Sequence, residues 1–196
     1  MKHADETVFF WINGLSDHVS WIDEIIRTLS CDLFLPVVMI IALIAVWFSG
    51  RNIADRTKNQ YGVICSLASM GIANLLVFIC NGVLPDRLRP FEAFPDKVNL
   101  IFYPPTDPSF PSNAAAASFA LAIGLWVYNR KLGYILSIPA IIISFGRVYI
   151  GVHYPLDILG GLALAILATG IVMVVIKLCR PVLDRLLNLM RKIYLA

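Results

Sequence analysis

The sequence predicts an all-α integral membrane bundle of about five transmembrane helices, preceded by an N-terminal interfacial amphipathic segment. Three observations carry this. Of the 196 residues, 59% are hydrophobic and only 15% charged, whereas globular chains average about half and about a quarter. A soluble domain this short cannot bury so much apolar surface, so a bilayer must solvate it. The apolar residues fall in five runs, 33–50, 59–85, 108–129, 132–146 and 158–176. Basic residues collect in alternate turns between those runs, the asymmetry that orients helices in a membrane. The length predicts one domain over 1–196, with an interfacial segment 1–32, a transmembrane core 33–176 and a basic cytoplasmic tail 177–196.

Residues 6–29 mix Phe9, Trp11, Ile12, Trp21, Ile22 and Ile26 with acids at helical spacing, broken near Gly14 and Ser16. Two short helices in the interface fit, with the tryptophans at headgroup depth; a partly soluble arm is the alternative. Asp5, Glu6 and Asp17 in this segment argue against a secretory signal. The run 33–50 is uncharged and long enough to span; 59–85 is longer and must tilt or overshoot. The run 108–129 carries small residues at 114–117, 132–146 is short for a span, and 158–176 is the last. Arg51, Arg56, Lys58, Arg130, Lys131, Lys177, Arg180, Arg185, Arg191 and Lys192 place the first and third turns and the tail on the cytoplasmic side. The tail 181–196 reads as a basic amphipathic helix on the inner surface.

This topology sends three polar segments to the outer side: Arg87 to Pro90, Pro111 to Asn113, and Arg147 to Asp157. His153 and Asp157 are four apart and share a face if helical. A carboxylate there holds the imidazole in one tautomer and stabilises its protonated form, leaving the other nitrogen as base or nucleophile. Arg147 offers a planar fork for two phosphate oxygens. Taken singly, these are also a snorkelling arginine, a histidine at a helix start and a capping aspartate. Arg87 and Arg89 lie in a loop stiffened by prolines; they can bind phosphate, or simply pair with Asp86 and Glu92. Ser112 and Asn113 read as a helix start, whose free N–H groups bind phosphate or are capped locally. Together the segments make a phosphoryl-transfer site. Arg89, Arg147 and the helix start hold the phosphate, and His153, oriented by Asp157, attacks phosphorus to give a phosphohistidine. The arginines supply the positive charge, so neither metal nor cofactor is expected. Cys31, Cys65, Cys80 and Cys179 lack ligand spacing. The net charge of +3 is scattered over tails and turns, which argues against a nucleic-acid partner.

These residues resemble the motifs of the type 2 phosphatidic acid phosphatase superfamily of integral membrane lipid phosphatases: Lys-x6-Arg-Pro, Pro-Ser-Gly-His and Ser-Arg-x5-His-x3-Asp. Arg147, His153 and Asp157 match the third, with Gly146 where Ser is usual; Arg89-Pro90 and Pro111-Ser112 match parts of the others. The resemblance implies a helical membrane bundle with His153 as nucleophile, Asp157 as its partner, and Arg89, Ser112 and Arg147 as phosphate ligands. The segment 12–23 is also similar to bacterial undecaprenyl-diphosphate phosphatases, with lipid A phosphatases a close rival. A multi-pass protein of the bacterial cytoplasmic membrane with its site outward is implied, acting on a lipid phosphate or diphosphate among membrane lipids. Oligomeric state is left open.

Two positions depart from the family. Its motif Lys falls on Gly82, and its motif His, which serves the leaving group or the attacking water, falls on Ala114. Three readings stand: an engineered inactive variant, a silent relative that binds lipid phosphates, or a substrate whose leaving group needs little protonation. The last points to a diphosphate. An alcohol leaves with a pKa near that of water, roughly 16, and needs a proton. A phosphate monoester leaves with a pKa of roughly 6 and needs it far less.

Overall fold

The computed structural model describes residues 2–193 and is all-helical over them. The helices are α1 (Lys2–Asn13), α2 (Ser20–Leu29), α3 (Phe34–Phe48), α4 (Ile53–Val83), α5 (Pro90–Ala93), α6 (Asn113–Tyr128), α7 (Arg130–Tyr149) and α8 (Pro155–Lys192). Each of the five apolar runs is a helix, α3, α4, α6, α7 and α8. Asn52 starts α4 by accepting from the Asp55 N–H at 2.8 Å. Asn129 both ends α6 and starts α7, where its side chain accepts from the Leu132 N–H. An Asn cap satisfies donors that the first turn leaves free.

By length and apolarity α4, α7 and α8 can cross a membrane, and the pair α2 and α3, bent by 47°, makes a fourth. The fifth run, α6, has 16 residues, roughly 24 Å at 1.5 Å per residue against a hydrocarbon core of about 30 Å. The expected count of about five therefore becomes three to four by length. The shortfall has a structural counterpart: α6 is wrapped by the other helices. Ala115, Ala116, Ala120, Leu121, Ala122 and Leu125 are all buried, and small residues let neighbouring backbones approach closely. One core cluster joins Met39 and Leu43 of α3 to Leu121 and Leu125 of α6 and Ile143 of α7. A second joins Ala73 and Val77 of α4 to Ala116 and Ala120 of α6 and Ala165 and Ala168 of α8.

Two expectations gain detail. The tail is helical to Lys192 as a continuation of α8, which runs unbroken through Pro181. Its last turns are held against the start of α4. Tyr61 donates to Asp184 at 2.7 Å, Leu187 is buried beside Tyr61, and Arg191 donates to Thr57 at 2.7 Å. The last residues of the expected tail, 194–196, lie outside the described residues. The N-terminal helices are more than an interfacial coating. Phe9 of α1 is fully buried against Tyr154, ring centroids 5.3 Å apart. Asn13 donates to the carbonyls of Asn99 and Tyr149 at 2.9 and 2.8 Å. Tyr149 donates to Asp23 of α2 at 2.7 Å. Trp11 and Trp21 stay exposed.

Candidate active site

The end of α4, the start of α6, the end of α7 and the start of α8 meet at one end of the bundle. The Ser112 N–H donates to the Asp157 carbonyl at 3.0 Å, which ties the α6 start to the α8 start. Gly161 allows this: a Cβ there would stand 2.6 Å from the Ser112 carbonyl oxygen. After α7 the chain turns at Gly151, whose φ of +87° belongs to the left-handed region that glycine enters without steric cost. The turn directs His153 inward, with its N–H donating to the Arg147 carbonyl at 3.2 Å. Gly146, where the family motif has Ser, is filled from elsewhere: the hydroxyl of Ser30 occupies the space a Cβ would take.

His153 is buried. Its Nδ1 lies 2.9 Å from the Ser109 carbonyl oxygen. A carbonyl only accepts, so Nδ1 carries the proton and Nε2 presents its lone pair. Nε2 sits 3.3 Å from Arg89 Nη1, which also donates to the Val152 carbonyl at 2.9 Å. The tautomer is thus set by Ser109, which sequence reasoning missed, and not by Asp157. The helix begins at Pro155, so His153 and Asp157 are not helical neighbours, and Asp157 Oδ2 stands 3.6 Å from Nδ1. The Asp157 carboxylate accepts from the Tyr154 N–H at 2.8 Å, Ser109 Oγ at 2.6 Å and Arg87 Nη1 at 2.6 Å. It caps α8 and supplies negative charge beside the imidazole. Burial pushes the His153 pKa below its ordinary value, Asp157 pulls it up, and Arg89 and Arg147 add to the lowering.

A cavity of about 450 Å³ opens in front of Nε2. His153, Arg89, Arg147 and Asn113 line it beside Ala114, and Met39, Met70, Leu121 and Ile143 give it an apolar wall. Both arginines are buried, and each holds a half-exposed aspartate. Arg89 donates to Asp107 at 2.9 Å; Arg147 pairs closely with Asp32, which also accepts from Tyr103. Burial lowers the Arg89 pKa while Asp107 opposes it. Two resident carboxylates therefore sit where a phosphate bound by these arginines would place its oxygens. Sequence reasoning missed both, because each comes from a loop remote in sequence.

Two expected ligands stand elsewhere. Among the described residues lining the cavity, Arg87 and Ser112 are absent. Arg87 is spent on Asp157 and on Asp5 of α1, at 2.6 and 2.5 Å. The Ser112 hydroxyl is buried and faces the Ala115 N–H as the α6 cap. Gly82 has no atom within 4 Å of where a Cβ would stand, so nothing packs at the family's Lys position. Among the described residues, no group of three or more His, Cys, Asp or Glu is placed to hold a metal ion.

Comparison with known proteins gives consistent findings. The profile described as PAP2 superfamily matches residues 62–181. Undecaprenyl-diphosphatase BcrC of Bacillus subtilis (strain 168) is 31% identical over 90% of this chain and 86% of its own length. The crystal structure of Aquifex aeolicus LpxE superposes with a TM-score of 0.67 at 24% identity, covering 85% of this chain and 93% of that one. That of the first transmembrane PAP2 type phosphatidylglycerolphosphate phosphatase from Bacillus subtilis gives 0.60 at 23% identity, covering 90% and 86%. Both likenesses concern the fold.

Proposed function

Because this chain belongs to the PAP2 superfamily and is a membrane lipid phosphatase, we propose that it removes the terminal phosphate of a lipid diphosphate. The reaction runs through a phosphohistidine on His153, at the outer face of a bacterial cytoplasmic membrane. The observation that carries this is the cavity itself. Two buried guanidinium groups share one end with Nε2, which accepts from one of them, an apolar wall runs from it, and the methyl group of Ala114 stands where an acid would serve a poor leaving group. The relative named undecaprenyl-diphosphatase supports the same choice of substrate.

The steps follow from the geometry. The phosphate exchanges with Asp32 and Asp107 and takes their places on Arg147 and Arg89. Nε2 attacks phosphorus, a P–N bond forms, and the P–O bond to the lipid monophosphate breaks. The imidazole becomes a cation that keeps its Nδ1 proton on the Ser109 carbonyl, with the Asp157 carboxylate 3.6 Å away. The arginines neutralise the charge that builds on the phosphoryl oxygens. Water then cleaves the P–N bond and releases inorganic phosphate.

The test is phosphate release by the purified protein in lipid nanodiscs, from a polyprenyl diphosphate and from the matching monophosphate. The diphosphate is expected to be favoured in kcat/KM by about 10²-fold or more, the lower range of what general acid catalysis supplies. Equal rates would refute the diphosphate preference. Binding of both lipids without release from either would establish the silent relative that Gly82 and Ala114 also suggest.

A pH profile follows from the same site. The attacking imidazole must be neutral, and burial holds its pKa below the ordinary value. Activity is therefore present above that pKa and lost as pH falls through it. The acid limb of kcat/KM, which reports the free enzyme, should lie below about 6.5. Running two substrates with different phosphate ionisation separates the limb they share, which is the enzyme's. A shared limb above 6.5 would contradict this assignment.

A further inference from the structure

Asp5 is a buried carboxylate that the steps above leave unused, and it lies on α1, outside the segment 62–181 that matches the family profile. Its side chain is 1% exposed. One oxygen accepts from the Leu156 N–H at 2.9 Å, in the first turn of α8; the other accepts from Arg87 Nη2 at 2.5 Å. The other arm of Arg87 donates to Asp157 at 2.6 Å, and its guanidinium lies 4.0 Å over the Tyr154 ring. Asp5, Arg87 and Asp157 thus form a row of two buried negative charges and one partly exposed positive charge between them.

The charge count has a consequence for His153. If Arg87 served Asp157 alone, the two would cancel, and once a phosphate had displaced Asp107 and Asp32 no protein carboxylate would offset Arg89 and Arg147 beside the imidazole. With Asp5 holding half of the guanidinium, the row keeps a net charge of about −1 next to His153, by summing formal charges at neutral pH. That charge favours the cation formed when Nε2 takes the phosphoryl group. The α8 N-terminus adds its positive dipole end, and both carboxylates accept hydrogen bonds at or near it.

We propose that Asp5 is a positioning residue of the active site, acting through Arg87 to leave Asp157 a net negative charge toward His153. The N-terminal helix is then part of the catalytic apparatus. The proposal rests on the phosphohistidine chemistry described above.

Glu6 of α1 acts on Tyr154 beside the row; Arg89, Arg147 and Asp157 act on His153, and the two arginines carry Asp107 and Asp32. Each is common to all the variants below, so only the charge at positions 5 and 87 changes.

The test is a double-mutant cycle of Asp5→Asn and Arg87→Gln in the full-length protein, assayed on a polyprenyl diphosphate in nanodiscs. Asn keeps the acceptor for the Leu156 N–H, but it removes the charge and the second acceptor, the one that Arg87 Nη2 uses. Asp5→Asn is expected to lower kcat by about 10-fold or more with KM unchanged, the equivalent of one pKa unit at His153. The acid limb of kcat/KM should move to lower pH at the same time. A slower enzyme with a wider acid range is not what a loosened helix produces. Arg87→Gln should move the limb the opposite way, and the double variant, back at one net negative charge, should regain most of the lost kcat. An unmoved limb in Asp5→Asn, or a double variant no better than the worse single one, overturns the proposal. If Asp5→Asn fails to fold, the upward limb shift in Arg87→Gln carries the test, and its absence is equally fatal. His153→Ala separates the two layers: turnover surviving that change refutes the phosphohistidine, whereas a failed cycle with His153→Ala inactive refutes only the role of Asp5.

Discussion

Replacing His153 by alanine is expected to lower phosphate release by a factor on the order of 10⁴ to 10⁶, the loss seen when a covalent nucleophile is removed from a preorganised site. Three features of the geometry make the loss large. Nε2 belongs to a buried imidazole of fixed orientation, since Nδ1 is committed to the Ser109 carbonyl. Arg89, 3.3 Å away, is already placed to receive the phosphate oxygens. The arginines on their own hold the anion but supply no electron pair to phosphorus. Two measurements check this. Phosphate release from a polyprenyl diphosphate should vanish in the variant, and acid-labile phosphate should be trapped on the wild-type chain alone. A variant within about tenfold of wild type, with its thermal midpoint unchanged, would mean that water attacks directly and that the imidazole does something else.

Much of the fold was legible because the bilayer writes its constraint locally. Each apolar run had to become a helix, since a helix satisfies its backbone within one segment. The convergence of Arg89, Arg147 and His153 was legible for a related reason: alternating spans send every second turn to the same side. The sequence offered no such rule for side-chain direction within the turns. Arg87 and Arg89 differ by two positions in one proline-stiffened loop, yet Arg89 lines the cavity and Arg87 turns to Asp5 and Asp157. Loops have no period from which to read a facing direction. The same limit hid Ser109 and the resident anions Asp32 and Asp107. Spacing alone also misread how Asp157 meets His153, because four residues mean one face only inside a helix, and His153 lies before α8 starts. Asp5 was hidden by composition: a helix with exposed Trp11 reads as interfacial, although its other face carries the fully buried Phe9 and the carboxylate that reaches α8.

Restoring the histidine that the family motif places at 114 should raise kcat on a lipid monophosphate by about 10² to 10⁴-fold, the span of general acid catalysis. On the matching diphosphate the same change should alter it by no more than a few fold. Ala114 lines the cavity with Arg89 and His153, so a side chain built there enters the space where the leaving group departs. The size of the effect depends on what leaves. An alkoxide, with a conjugate acid of pKa roughly 16, gains most from a proton delivered as the P–O bond breaks. A departing phosphate monoester, with a pKa of roughly 6, is stable as an anion at neutral pH and gains little. Ala114→His therefore reads the natural substrate through its leaving group. An equal gain on both lipids would show that the imidazole assists water attack on the phosphohistidine, a step the two substrates share. No gain on either would show that position 114 does not face the departing oxygen. Only the split between them supports a site that dispensed with an acid because its diphosphate substrate has little use for one.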